Sequence, residues 1–172
     1  YPSNPCGAAA PRSMYESLIG YARKYGFWLV NDIAYSDIIF DGREGFSFLS
    51  IPVAKEVGVE FFSLSKSFNT TGARISFCIG SQTVVNALKV IRSQYDFGMF
   101  TPIQMGAIAA LTGPQESVAA QRAEYQRRRD ALCGGFRAAG WNVPDSQGTM
   151  FVWAPIPPQF SNSMAFWNAL VD

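Results

Sequence analysis

Apolar residues recur along this chain with two alternating periods, and the switches between them predict alternating helices and strands. From Pro11 to Tyr25, Met14, Leu18, Tyr21 and Tyr25 fall at spacings of four, three and four, the repeat of one helix face, with Gly26 as a stop. The continuous run Phe27-Trp28-Leu29-Val30 predicts a buried strand, and a loop containing Asp41-Gly42 and Gly45 follows it. Glu60 to Leu64, bounded by Gly58, predicts a second strand, and Ile75 to Ile79, ended by Gly80, a third. Ser81 is placed to cap a helix reaching Tyr95, whose Val84, Leu88, Ile91 and Tyr95 share a face. Thr101-Pro102 opens another helix. A long helix is predicted from near Pro114 to Ala139 with Val118, Tyr125, Leu132 and Phe136 inward, weakened at Gly134-Gly135 and ended by Gly140. Trp141 to Val143 and Thr149 to Trp153 predict short strands of a smaller unit, followed by a proline-rich loop from Ala154 to Pro158 and a helix starting near Ser163. Alternating strands and helices of this kind predict an α/β fold with a mostly parallel sheet and helical crossovers on both faces.

Composition narrows the chemistry. The 172 residues are 48% hydrophobic and 16% charged with a net charge of +1, a chain able to bury roughly 70% of its unfolded surface and lacking the field that nucleic acid requires. Histidine is absent, which removes His-dependent triads and His-ligated zinc. Cys6, Cys78 and Cys133 are odd in number and form no Cys-x-x-Cys pair, so a metal site is not expected and a reducing cytosol is. No stretch is long and apolar enough to span a bilayer. The chain opens at Tyr1 without methionine and stops at Asp172 inside the last predicted helix, as expected of a portion of a longer protein.

In parallel sheets, ligands gather beyond the carboxyl ends of the strands, where Asn31-Asp32 and Ser65-Lys66 both fall. Lys66 in Ser63-Leu64-Ser65-Lys66 has Asn4-Pro5-Cys6-Gly7 and Asp32-x-x-Tyr35 upstream and Arg74 eight residues downstream. Those types at those spacings form the kit that pyridoxal phosphate demands: an amine for its aldehyde, an anion for its ring nitrogen, donors to its phenolic oxygen, and cationic or hydroxyl groups for its phosphate. Lys66 would be the Schiff-base amine and the general base and acid; Asp32 would hold the ring nitrogen protonated. Asn4 and Tyr35 would donate to the phenolic oxygen, while Ser63 and the forked guanidinium of Arg74 would grip the phosphate. Taken singly each residue also has an ordinary reading: Lys66 as a surface lysine, Asp32 as a cap, Asn4-Pro5 as a turn, Tyr35 as a core aromatic. The joint pattern is what favours the site. Arg127 to Arg129 read as a solvated helix face, and the cysteines as packing residues.

Tyr1-Pro2-Ser3-Asn4-Pro5, Asp32-Ile33-Ala34-Tyr35 and the run from Ser63 to Arg74 resemble the class I/II pyridoxal-phosphate-dependent aminotransferases, as do Gln147 to Pro155 and the segment from Gly113 to Arg129. Within the class the likeness is greatest to LL-diaminopimelate, aspartate and alanine aminotransferases. The resemblance covers essentially the whole chain. It implies part of a type I large domain over residues 1–113, an interdomain helix over 114–140 and a partial small domain over 141–172. It also implies a cytosolic homodimer with active sites at the subunit interface and a ping-pong exchange of an amino group between an amino acid and a 2-oxo acid. The family's phosphate loop, ring-stacking aromatic and substrate-carboxylate arginine lie in segments outside these residues, so the chain alone is expected not to turn over. Cys6 stands where threonine is common, and Ser76 where glycine often follows the arginine. Two other uses of the same scaffold stay open at this level: a cofactor-binding sensor domain of a transcription regulator, and a carbon–sulfur lyase.

Overall fold

Local signals start and stop the elements much as expected. The structure, a computed structural model, describes residues 1–96 and 98–171. Helix α1 runs Arg12–Tyr25 behind Pro11 and closes on Gly26, whose left-handed backbone (φ 71°) lets its N–H reach the Ala22 carbonyl. Strand β1 is Leu29–Asp32, the one-turn α2 is Ala54–Val57, and β2 is Gly58–Ser63. The single turn α3, Leu64–Ser67, precedes β3, Ser76–Gly80. Helices α4 (Gln82–Tyr95), α5 (Thr101–Thr112), α6 (Glu116–Ala138) and α7 (Ser163–Val171) complete the order. Asp172, the end of the last expected helix, lies outside the described residues. No helix among them is long and apolar enough to cross a membrane.

The described sheet has the order β1-β2-β3 and is mixed. β1 and β2 pair in parallel, from Leu29 opposite Gly58 to Asp32 opposite Phe61, across the long connection that includes α2. β3 returns antiparallel, with Ser63 opposite Ser76 and Val59 opposite Gly80. The α/β expectation holds, and β3 is the antiparallel member of the described sheet. Between β2 and β3 the chain makes only α3 and a tight turn at Thr71–Ala73, too little for a crossover helix, so the strand folds back instead.

Burial corrects several sequence-derived faces. On α1 the buried residues are Tyr15, Ile19 and Ala22, packed with Phe48, Ile51, Ala54 and Val57; Met14 and Leu18 flank them half-buried, and Tyr21 and Tyr25 face solvent. A helix face is set by what lies against it, and the Phe48–Val57 connection meets α1 one residue further round than its bulkiest side chains. Phe27, Trp28 and Val30 are exposed, because the described chain lays nothing over that side of β1. Ile91 and Tyr95 on α4 are exposed for the same reason, and Ser81 precedes that helix without a side-chain capping bond.

The largest correction concerns α6. Its inward residues are Arg129 and Cys133, while Leu132 is exposed and Val118, Tyr125 and Phe136 are half-buried. Arg127 and Arg128 are solvated and share Glu124, whose carboxyl they hold down to about 2, as expected of a charged face. Arg129 is not. Its guanidinium donates twice to Asp41, at 2.6 and 2.9 Å, and also to Asp130 and to the Ser146 carbonyl, and it lies over the Phe40 ring. No sequence period announces a buried arginine; Asp41 reaches it from 88 residues away.

The two short strands expected after α6 are absent. Trp141 to Val143 curls so that the Val143 N–H meets the Trp141 carbonyl, and Thr149 to Trp153 is irregular. A single antiparallel bridge, Ile39 with Gly148, ties this segment to the loop after β1. A strand needs a partner along its length, and here pairing stops after the Thr149 N–H meets the Ile38 carbonyl at 2.8 Å. Gly7 and Gly148 allow the N-terminal segment to pack here: a Cβ on Gly7 would sit 2.5 Å from the Ser146 Cβ, and Gly7 has a left-handed φ of 65°.

Candidate active site

Strand direction collects the predicted residues at one end of the sheet. β1 and β2 are parallel, so their final residues, Asp32 and Ser63, emerge on the same side. β3 is antiparallel, so it starts on that side, and Arg74 stands two residues before it. Lys66, in the turn directly after β2, joins them.

The Lys66 turn is held from outside itself. One turn of helix leaves its last carbonyls without intrahelical partners. Here the Leu64 carbonyl accepts from the Phe68 N–H and the Thr70 hydroxyl, the Ser65 carbonyl from the Thr71 hydroxyl, and the Lys66 carbonyl from the Gln121 side-chain amide at 2.7 Å. At the other end the Ser63 hydroxyl caps the Ser65 N–H. The buried Ser67 hydroxyl donates to Asp37 at 2.5 Å. The backbone that presents Lys66 is thus fastened at five points.

Lys66 itself is half-buried, with Nζ 5.9 Å from the centre of the Tyr35 ring. That ring is buried beside Ile38, Phe40 and the edge of Phe151, and burial, then Asp32, then Tyr125 push its hydroxyl above its usual pKa. Asp32 is exposed; one carboxylate oxygen accepts the Ala34 N–H at 3.0 Å and the other has no partner among the described residues. Arg74 takes a left-handed backbone (φ 53°), is exposed, and spends one donor on the Thr71 carbonyl. Asn4 lies in an exposed turn; the nearby Tyr1 main-chain nitrogen is 3.3 Å from the Asp32 carbonyl oxygen. The structure therefore brings Lys66 and Tyr35 together and sets Asp32, Ser63 and Arg74 around the same sheet end. Asn4 makes no hydrogen bond to any of them among the described residues.

This donor set fits pyridoxal phosphate. Lys66 has no carboxylate within ion-pair distance among the described residues, Asp32 keeps an oxygen free, and Arg74 keeps most of its fork. An amine, an anion and a guanidinium left with open valences at one sheet end match an anionic aromatic aldehyde better than they match each other.

Residues 1–172, the entire chain, match the family model for aminotransferase class I and II. The chain belongs to that family. Its members use pyridoxal phosphate. Among curated relatives of this chain, the glutamate–pyruvate aminotransferase AlaC of Escherichia coli is 44% identical over 174 residues, covering 100% of this chain and 42% of AlaC. The LL-diaminopimelate aminotransferase of Moorella thermoacetica is 44% identical over 163 residues, covering 95% and 42%. The substrate-bound structure of BacF from Bacillus subtilis superimposes with a TM-score of 0.94 at 34% identity, over 99% of this chain and 44% of that one. The chain thus spans less than half the length of these relatives.

Sequence reasoning did not find Asp37, Gln121, Asp41 or Arg129. Thr70 and Thr71 lay inside the motif that resembles the family, but their task as acceptor-satisfying hydroxyls had no sequence signal of its own. Gln121 sits on a helix 55 residues from Lys66, where spacing carries no information about contact.

Proposed function

We propose that the whole protein of which these residues form part transfers an amino group from an amino acid to a 2-oxo acid by a ping-pong mechanism. The observation that carries this reading is the unpaired Lys66 amine, presented by an externally fastened turn to the Tyr35 ring. The names of its relatives, glutamate–pyruvate and LL-diaminopimelate aminotransferases, support it.

When bound, pyridoxal phosphate supplies an aldehyde that takes up an amine with loss of water and a protonated ring that withdraws electrons from the substrate's α carbon. Lys66 is the residue that would hold it covalently and, once freed, would carry a proton at Nζ to and from the reacting carbon. Asp32 would keep the ring nitrogen protonated through its free carboxylate oxygen. Tyr35 and Asn4 would donate to the phenolic oxygen; burial pushes the Tyr35 hydroxyl further above its usual value, in the direction of the protonated, donating form. Ser63 and Arg74 would hold the phosphate, Arg74 as a fork.

The same proposal places the protein in the cytosol as a homodimer. Three free cysteines accord with a reducing compartment, and the exposed Trp28, Val30, Ile91, Tyr95, Met105 and Ile108 leave an apolar area that an assembly would cover. It assigns residues 1–113 to the cofactor-binding domain, 114–140 to the interdomain helix and 141–172 to part of the small domain. Because its relatives are more than twice as long, the 172 residues alone are expected not to turn over.

The test is incubation of the whole protein with pyridoxal phosphate, borohydride reduction, and peptide mass mapping, followed by single-turnover conversion with a panel of amino acids. A stoichiometric adduct on Lys66 and amino transfer are expected. An unmodified Lys66 in the whole protein would overturn the proposal.

A further inference from the structure

Helix α6 touches the candidate site twice on one face. Gln121 donates its side-chain amide to the Lys66 carbonyl at 2.7 Å. One helical turn later, Tyr125 packs on the buried cluster of Tyr35, Ile38 and Phe40. The amine of Lys66 lies over the ring of that same Tyr35, so the helix contacts both members of the pair that the site depends on.

The two contacts differ in what could replace them. The Leu64 and Ser65 carbonyls are satisfied by Phe68, Thr70 and Thr71, all within the local loop, and would follow that loop wherever it moved. The Lys66 carbonyl alone is satisfied from a distant element. A buried or half-buried carbonyl that loses its donor either goes unpaired or rotates its peptide to find another. A main chain no longer tied at that carbonyl is free to shift, and a shift of the Lys66 Cα moves the point from which the amine reaches toward Tyr35. A local loop cannot prevent this; a long helix can, because α6 spans Glu116–Ala138 and is pinned at its far half by the buried Arg129.

We infer that Gln121 is a positioning residue for Lys66, fixing the peptide from which the amine projects and so setting the reach of Nζ toward the cofactor aldehyde. The inference rests on the assignment of Lys66 above. Gln121 touches no reacting atom; it acts through the Lys66 main chain.

The experiment uses the whole protein with Gln121→Met, which keeps length and removes the donor, and Gln121→Glu, which keeps shape and turns an acceptor toward the carbonyl. Covalent uptake of pyridoxal phosphate is followed by absorbance and scaled to folded sites, counted by borohydride-trapped adduct on Lys66; kcat and KM are measured alongside. Gln121→Met is expected to slow uptake about fivefold per folded site, matching one lost side-chain-to-carbonyl bond. Gln121→Glu is expected to slow it further, and both should lower kcat with little change in KM. Adduct stoichiometry should stay at that of the unaltered protein, which a fold-disrupting change would not preserve. Equal uptake rates in the unaltered protein and Gln121→Met, with Lys66 carrying the adduct in both, would overturn the inference and leave the functional proposal standing. Absence of the adduct on Lys66 in the unaltered protein would overturn both. If Gln121→Glu does not fold, Gln121→Met decides the matter alone.

Discussion

Arg129→Met removes the one buried cation of α6 while keeping most of the stem's volume. The guanidinium side chain is 6% exposed, whereas its partners Asp41 and Asp130 are 43% and 54% exposed, so both carboxylates regain water when it goes. Their share of the loss is therefore small, about 1 kcal/mol, despite the bidentate geometry. The Ser146 carbonyl cannot recover in the same way: it belongs to a buried residue and accepts from Arg129 at 2.6 Å, so an unmet acceptor adds about 1–3 kcal/mol. The cation over the Phe40 ring, 5.0 Å from its centre, adds up to about 1 kcal/mol. A loss of about 3 kcal/mol is expected, read as a urea midpoint lower by about 1–2 M when followed by tryptophan fluorescence. Asp41→Asn should cost less, because Arg129 keeps Asp130 and Ser146. The double-mutant cycle should show coupling of about 1 kcal/mol. The pH dependence has a definite sign. Arg129, chiefly by hydrogen bonding, holds the Asp41 carboxyl below its usual value of 3.8. That contribution is fully present above the usual value and is lost as pH falls through the lowered one. The stability gap between the unaltered protein and Arg129→Met should be widest near neutrality and narrow in acid. A midpoint for Arg129→Met equal to that of the unaltered protein, or zero coupling with Asp41, would refute the reading of this cluster as a structural tie.

Three further outcomes follow from the geometry. Asp32→Asn in the whole protein should still yield the borohydride-trapped adduct on Lys66 but lower turnover by about 10²-fold or more, since it removes a proton-holding anion and not the amine; loss of the adduct together with turnover would show a role in binding instead. Gly7→Ala should be destabilising by more than about 1 kcal/mol, because the added Cβ meets Ser146 at 2.5 Å and the Gly148 carbonyl at 2.9 Å on a left-handed backbone, and a denaturation midpoint equal to that of the unaltered protein would contradict it. In thiol labelling, exposed Cys6 should react first and Cys133, fully buried with its thiol pushed up by burial and then by Asp145, should react only on unfolding; equal rates would contradict the burial.

Local chemistry made much of this protein readable from its residues. The helix limits at Gly26 and Gly80-Ser81, the existence of strands around Leu29-Val30 and Glu60 to Ser63, and the lysine turn between Ser63 and Arg74 all depend on neighbours within a few positions, where backbone sterics act, although β1 runs on to Asp32, two residues past the run that predicted it. The family likeness rested on those same short runs. What the residues alone did not reveal is everything set by long-range approach. The return of β3 antiparallel, the face of α1 that turns inward, and the irregular path of residues 141–153 depend on which partner lies alongside, and a period in the sequence does not name a partner. Arg129 is the sharpest case. By composition it is the third of three arginines on a solvated helix face, and only Asp41, Phe40 and Ser146, brought in by the fold, make it the buried one. Gln121 is the same lesson at the site: an unremarked polar residue on a helix, it gains its meaning from a carbonyl 55 residues away that had no local donor left.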